Sequence, residues 1–294
     1  MAEKGPGATA KPEALHKLKN LLNLSYEEFV KELGEMADDD KIVAAIRAGR
    51  RDGKLGDERV SFTKIEIPVR KLHPTQNEID VDKSLKFQLE GKFPGQLGEI
   101  LKGKEIVIKA PIITLNGKYI IDGHHRWSRV YVMNDHATMI ALNMTIDEDP
   151  LTVLKAVQMA IVAKLKDLPV ARVEGDNLLK ISERKLKTYV ISKISDTTVQ
   201  VLNDNKKIEH GGKDESADYI WGNVSNMQKT SQPVKDAPDR SVMPQTDDAE
   251  DSAGSWSDLL KAGVINFKEP VAHEGHRYEM RHLKMFENFN KDTK

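Results

Sequence analysis

Asp122-Gly123-His124-His125-Arg126-Trp127 places a carboxylate, a glycine, two imidazoles and a guanidinium side by side, and no other stretch of the chain concentrates as much chemistry. Such a mixture suits a phosphate or a metal ion. The string follows a β-rich, hairpin-like run and precedes a helical period, which predicts a strand-to-helix junction. A helix start exposes unpaired N–H groups, and the helix dipole favours an anion there. Gly123 lacks a Cβ, so backbone or ligand can approach closely. Asp122 is placed as N-cap, its carboxylate accepting an N–H of the first turn; as an acid it opposes a bound phosphate unless a metal lies between. Successive helical residues project about 100° apart, so one of His124 and His125 is expected to face a ligand and the other to pack or meet solvent. Arg126 offers a two-pronged donor for phosphate oxygens, and Arg129 shares its face three residues on. On the residues alone, an ordinary turn and cap explain the string as well as a site does.

The elements that must hold this junction are readable from periodicity. Ser61 to Val69 alternates and predicts a strand, with Pro68 limiting it to an edge or an end. A polar loop, His73 to Glu78, is followed by a predicted helix over Val81–Leu89 and a Gly-rich stretch containing Phe93-Pro94-Gly95 and Gly98. Ile106–Ile108 and Ile112–Leu115 are β-rich. Asn116-Gly117 is a type I′ hairpin signal, because both central residues of that turn need positive φ. Tyr119–Ile121 returns as a strand. The helix then runs from His124 to Asn134, burying Trp127, Val130 and Tyr131. Thr138 to Ile146 reads as a strand, and Asp149-Pro150 caps a helix over Leu151–Leu165 with Leu154, Val157, Ile161 and Leu165 on one face.

Around this centre, residues 1–12 are expected to be disordered and 13–60 to form a helical extension. Leu15, Leu18, Leu21 and Leu22 lie on one face of its first helix, Ser25 caps a second, and Lys41 to Gly49 forms a short third. Residues 166–228 read as an accessory segment, of mixed helical and β character between Asp176 and Leu202. Residues 229–255 have the Pro, Asp, Ser and Gln composition of a flexible linker, and 256–294 regain helical apolar spacing as a tethered tail.

Composition narrows the chemistry. The chain has no cysteine, which removes disulfides, thiolate metal sites and cysteine nucleophiles. Its 45 basic and 46 acidic residues nearly cancel, a weak footprint for non-specific nucleic-acid binding unless a local patch supplies one. Arg47, Arg50, Arg51 and Lys54 form the most basic stretch. No run approaches the ~18 apolar residues needed to cross a bilayer, and the first residues carry no apolar signal segment, so the expected location is the cytoplasm, away from membranes.

The order of strand, polar loop, helix, hairpin and Ile120-Ile121-Asp122-Gly123-His124-His125-Arg126 resembles the ParB/sulfiredoxin superfamily, over residues 61–165. Leu72-His73-Pro74-Thr75-Gln76 is similar to the Asn-Pro-x-Gln loop of its ParB-like members, with His73 in the asparagine place. The resemblance implies an α+β fold, a small mixed sheet with helices, carrying the helical extension and the linker-borne tail. It also implies that the helix start holds nucleotide phosphates. Sulfiredoxins carry a cysteine where His124 stands, so sulfinic-acid repair is excluded. The downstream Glu-Asn-x-x-Arg segment of the partition proteins and their helix-turn-helix domain have no counterpart; Asp147-Glu148-Asp149 stands in that region. The free serine kinases of the superfamily carry a similar Asp-Gly-His-His-Arg string, which makes nucleotide-dependent phosphotransfer or hydrolysis the enzymatic expectation.

On that expectation a nucleoside triphosphate or diphosphate is held by Gly123, His124, His125, Arg126 and Arg129, with Thr75 and Gln76 on the facing loop. Glu78 and Asp80 are the expected ligands of Mg²⁺. Glu78 or Asp122 takes a proton, and His124 or His125 serves as acid, base or charge stabiliser. Two other readings compete: a ParB-like DNA-binding protein or nuclease using Arg47 to Lys54, and a non-catalytic interaction protein whose 256–294 tail docks a protein partner. The accessory segments and near-neutral charge suit a phage or mobile-element protein.

Overall fold

A computed structural model describes Lys17, residues 20–40, 61–103, Ile106, 111–145, 148–165, Leu168 and 175–244. The basic stretch Arg47 to Lys54, the third short helix, residues 1–12 and the 256–294 tail lie outside the described residues. The fold is α+β, with a five-stranded mixed sheet. It divides into two compact units: residues 63–143 with 172–240, and the described residues within 1–62, 144–171 and 241–294. The expected boundary at 165/166 does not coincide with this division.

The strands are β1 (Ser61–Pro68), β2 (His73–Pro74), β3 (Ile112–Leu115), β4 (Tyr119–Asp122) and β5 (Thr138–Thr145), ordered β1-β5-β3-β4-β2. β3 is central and all four of its residues are buried, as an uninterrupted Ile-Ile-Thr-Leu run requires when a strand is covered on both faces. Asn116 and Gly117 take φ of 52° and 62° and close the β3–β4 hairpin as the Asn-Gly pair predicts. The antiparallel register moves by one residue between Ile113↔Asp122 and Thr114↔Ile120. This bulge leaves Ile121 without an opposite number and re-aims the chain where it leaves the sheet. β2 pairs in parallel with β4, His73 against Tyr119 and Pro74 against Ile120, which brings the polar loop after β2 beside the end of β4.

Helices of the same unit are α2 (Val81–Leu89), α3 (Pro94–Lys102), α4 (His124–Met133), α6 (Glu183–Lys193), α7 (Asp196–Asp204) and α8 (Lys213–Thr230). The stretch read as Gly-rich forms α3. Leu97, Ile100 and Leu101 recur at helical spacing and are buried, Pro94 occupies the first turn, and Gly103 ends the helix at φ 72°; packing and end signals outweigh the propensity cost of Gly95 and Gly98. The mixed character read over Asp176–Leu202 resolves into α6 and α7; Ser182 occupies the N-cap position of α6, and the Ser195 side chain caps α7 by accepting the Thr198 N–H. α8 packs against α4 and α6, so its Ala217, Ile220, Val224 and Met227 share a core with Trp127, Val130 and Tyr131. Trp127 is fully buried, its indole N–H donates to the Val69 carbonyl at 2.9 Å, and its ring meets Tyr131 edge-on at 5.5 Å.

In the other unit, α1 (Tyr26–Ala37) begins with a capping box between Ser25 and Glu28, as the Ser25 reading expects. α5 (Pro150–Leu165) packs against α1. Lys155 of α5 is buried and its ammonium donates to the Leu22 and Leu24 carbonyls at 3.0 and 2.7 Å.

Candidate functional site

The site is built where the β4–α4 junction meets the loop between β2 and α2. Gly123 adopts φ 90° and is itself the N-cap of α4, without a side-chain cap hydrogen bond. A Cβ there would lie 2.7 Å from Ile112 Cγ2 and 2.9 Å from the Arg126 Nε and a terminal nitrogen. Glycine is therefore required twice, for its backbone angle and so that the guanidinium can lie against the main chain. This corrects the expected N-cap role of Asp122. With the cap moved on by one residue, its carboxylate turns instead to Arg126, at 2.5 Å. The first-turn amides of α4 are left without an acidic cap.

Both histidines turn toward the facing loop. His124 Nε2 accepts the Thr75 backbone N–H at 3.1 Å, and His125 Nε2 accepts that of Asp80 at 3.2 Å. Acceptance at Nε2 puts the neutral ring's proton on Nδ1; for His124 a backbone hydrogen bond with Ile120 accompanies it. Burial, then the charge of Arg240, holds His124 down at about 3 and His125 at about 2. Each ring is neutral at physiological pH and clamps one end of the loop. The expectation that one imidazole faces a ligand and the other meets solvent is not what the structure has, because the loop offers a backbone donor to each.

The loop residues are similarly engaged. Thr75 Oγ1 donates to the Ile120 carbonyl at 2.7 Å, and the Gln76 amide donates to the Glu78 carbonyl. Both side chains are buried, so they shape the loop. Asp80 caps α2, accepting Lys83 N–H at 2.8 Å, and its carbonyl accepts Ser84 Oγ–H at 2.7 Å. Asn177 secures the middle: its Oδ1 accepts Ile79 N–H at 3.1 Å and its amide donates to the Asn77 carbonyl at 2.8 Å.

A third wall comes from residues expected to be a linker. Residues 231–240 form a strap along the loop. Val234 N–H donates to the Pro74 carbonyl at 3.0 Å, Asn77 N–H donates to the Pro238 carbonyl at 2.8 Å, and the Asn77 amide donates to Asp239 at 3.0 Å. His73 Nδ1 meets the Gln232 carbonyl at 3.0 Å. The strap ends at Arg240, 8% exposed, whose charge acts on His124, His125, Asp80 and Glu78. The described part of 229–255 is thus held mostly by main-chain hydrogen bonds, which a composition-based reading does not register.

Cations dominate the result. Arg126 is 15% exposed at its side chain, and its Nε is buried with no hydrogen-bond partner. Arg129 donates to the Lys83 carbonyl at 3.3 Å and lies 5.0 Å over the Phe87 ring; its Nε is also buried without a partner, and it makes no ion pair among the described residues. Burial, then the neighbouring Arg126 charge, lowers its pKa, the signature of a desolvated cation that an added anion would stabilise. Of the residues predicted from sequence, the structure brings together Thr75, Glu78, Asp80, Asp122, Gly123, His124, His125, Arg126 and Arg129, with Asp122 paired to Arg126, while the Gln76 amide turns back to the Glu78 carbonyl. Sequence reading missed Arg240, Asn177 and Lys83. Among the described residues no three His, Asp or Glu side chains gather as a metal-binding group. Compared with known proteins, the chain finds no match among protein-family models, curated proteins or solved structures.

Proposed function

We propose that this unit is a ParB/sulfiredoxin-like domain that binds the phosphates of a nucleoside di- or triphosphate at the start of α4. One observation carries the reading: the helix start has no acidic cap, the Arg126 guanidinium lies against it, and Arg126 and the nearby Arg129, which lies along α2, each have an unpaired buried Nε. Helix-start amides supply oriented N–H donors and arginines supply forked ones, which together match phosphate oxygens. His124 and His125 serve as neutral clamps that fix the facing loop. Phosphotransfer or hydrolysis is supported by Glu78 and Asp80 on the facing loop, whose charges act on Arg240. Mg²⁺ is commonly bound by one or two carboxylates completed by phosphate oxygens and water, and these two would be its protein ligands; a bound Mg²⁺ would neutralise phosphate charge there.

The test is thermal unfolding of the full chain with each common nucleoside triphosphate and diphosphate, with and without Mg²⁺, for wild type and Arg126→Ala. A ligand at about a hundred times its dissociation constant stabilises by about 2.7 kcal/mol. A nucleotide-specific shift that disappears in Arg126→Ala is the expected result. Absence of any shift in wild type, or an equal shift in the variant, overturns the proposal. Release of phosphate or labelling of an acceptor in the same samples decides between binding and turnover.

A further inference from the structure

We infer that Phe87 and Phe93 form the base-stacking subsite of this nucleotide site, with Arg129 linking the base to the phosphates. The inference rests on the phosphate reading above and deepens it: the ligand is held by its base as well as by its phosphates.

The two rings stand where neither the core nor a helix end needs them. Phe87 is 40% and Phe93 57% exposed. Phe87 lies outside the buried stripe of α2, which is Val81, Ser84, Leu85, Gln88 and Leu89. Phe93 occupies the N-cap position of α3 and gives that helix no side-chain hydrogen bond, in a place where Ser, Thr, Asp or Asn would close it. The rings meet each other at 6.4 Å, tilted by 46°, so they present one continuous aromatic surface.

The charges around that surface select its occupant. The Arg129 guanidinium lies 5.0 Å over the Phe87 ring, and its Nε is buried without a hydrogen-bond partner. The Lys92 ammonium lies 5.7 Å over the same ring, whereas no cation lies over Phe93 among the described residues. Phe93 is therefore the ring left open to a flat ligand. The acids of this stretch are already engaged. Asp82 accepts the Tyr189 hydroxyl at 2.8 Å and pairs with Lys86 at 3.7 Å, and Glu90 pairs with Lys92 at 2.6 Å. Open aromatic rings beside a desolvated arginine, with the nearby carboxylates paired, suit a π-system that carries anionic phosphates. An apolar peptide side chain would cover the rings and still leave the Arg129 Nε without an acceptor.

The platform is continuous with the start of α4. α2 and α4 lie side by side and advance in step: Asp80 N–H donates to His125 at 3.2 Å, Ser84 meets Ser128 at 2.8 Å, and Arg129 reaches the Lys83 carbonyl and the Phe87 ring. Arg126 and Arg129 stand three residues apart and share a face of α4. Phe87 is seven residues beyond Asp80, about 10 Å at the helical rise of 1.5 Å per residue. An extended nucleotide spans a similar length from base to terminal phosphate. Phosphates at Arg126 and the helix start thus put the base past Arg129, at Phe87 and Phe93.

The experiment measures binding to the full chain by calorimetry, with Mg²⁺, for each common nucleoside di- and triphosphate. Inorganic pyrophosphate and tripolyphosphate are measured beside them, since they carry the phosphates without a base. Wild type is compared with Phe93→Ala, Phe93→Trp and Phe87→Leu, and an unchanged melting temperature checks that these exposed substitutions leave the fold intact. Stacking of a base on an aromatic side chain corresponds to about tenfold in affinity. Phe93→Ala should therefore weaken the tightest nucleotide about tenfold and leave both inorganic anions within about twofold. Phe93→Trp should bind the nucleotide at least as tightly as wild type, and Phe87→Leu should lose a few fold. Nucleotide affinity within about twofold in Phe93→Ala, or an equal loss for the inorganic anions, overturns the inference. Arg126→Ala in the same series keeps the two readings apart, because its loss of nucleotide binding would preserve the phosphate reading through that failure. No binding of any nucleotide or inorganic anion by wild type removes both. A short oligothymidylate without terminal phosphate that outbinds every mononucleotide, and weakens with Phe93→Ala, would give the rings to a nucleic-acid strand and overturn the assignment.

Discussion

At the start of α5, Asp149 Oδ1 accepts the N–H groups of Leu151 at 2.9 Å and Thr152 at 3.2 Å, whereas at the start of α4 the corresponding aspartate, Asp122, caps nothing and binds Arg126. Both helices follow an acid. The difference lies in the next residue. Pro150 has no N–H and a fixed φ, so it continues into the first turn and leaves Asp149 in the cap position. Gly123, at φ 90°, takes the cap position itself and turns the preceding carboxylate away. One helix start is thereby closed by its own chain, and the other is left without a side-chain cap and with the Arg126 guanidinium against it. Local chemistry closes most helix ends, and an end that is not closed invites an external acceptor.

The largest expected effect exploits the histidines that only the α4 start possesses. His124 and His125 are held at about 3 and about 2 in the folded chain, against about 6.5 when unfolded. Between those values the unfolded state binds more protons than the native one, so stability rises with pH across that window. The stabilisation is fully present above about pH 6.5 and is lost as pH falls toward the folded values, by at most about 1.4 kcal/mol per pH unit for each ring. Urea midpoints at pH 7, 6, 5 and 4 should fall accordingly, and His125→Gln should flatten the slope. Equal midpoints at pH 7 and 5 in wild type would contradict the buried, neutral clamps.

Next in size is a contrast between the two starts. Gly123→Ala must place a Cβ at φ 90° and 2.7 Å from Ile112, which costs about 1–3 kcal/mol and displaces Arg126, so both the melting temperature and nucleotide binding should drop. Asp149→Ala removes a cap worth about 1 kcal/mol and should lower the melting temperature without altering nucleotide affinity. Affinity loss in Asp149→Ala, or none in Gly123→Ala, would erase the distinction.

That distinction explains what could be read beforehand. The Asn116-Gly117 turn, α2, the α4 stripe of Trp127, Val130 and Tyr131, and the Asp149 cap are local signals, decided within a few residues, and the structure has them all. Asp122 failed as a cap because a left-handed glycine and a guanidinium four residues on competed for it, an outcome fixed by a close approach that no spacing rule contains. The histidines were legible as residues and not as clamps, since the backbone N–H groups they accept from, those of Thr75 and Asp80, lie 49 and 45 residues upstream. Arg240 was hidden for a further reason. Its strap buries few apolar side chains and is held by backbone groups, so its Pro- and Asp-rich composition read as linker although Asp236 sits at φ 61° and Pro238 accepts from Asn77.

The finest test separates the carboxylate of Asp122 from the geometry that Gly123 imposes. Asp122 is 41% exposed at its side chain, and an ion pair so open to water contributes about 0–1 kcal/mol to folding, so Asp122→Asn should leave the melting temperature nearly unchanged. Its effect on an anion should be opposite in sign to that of every other substitution at the junction. The carboxylate now neutralises Arg126 and repels a phosphate drawn to the same guanidinium. Asparagine keeps an oxygen for Arg126 and removes the charge, so pyrophosphate and nucleotide should bind a few fold more tightly, an advantage that salt screens away with a Debye length of about 10 Å at 0.1 M. Weaker binding in Asp122→Asn would mean that the acid contributes to the ligand site, through a metal or a proton, as the sequence first suggested. Tighter binding at low salt would mean that Asp122 restrains Arg126 until an anion replaces it, which is how a helix start can stay uncapped and still be stable without its ligand.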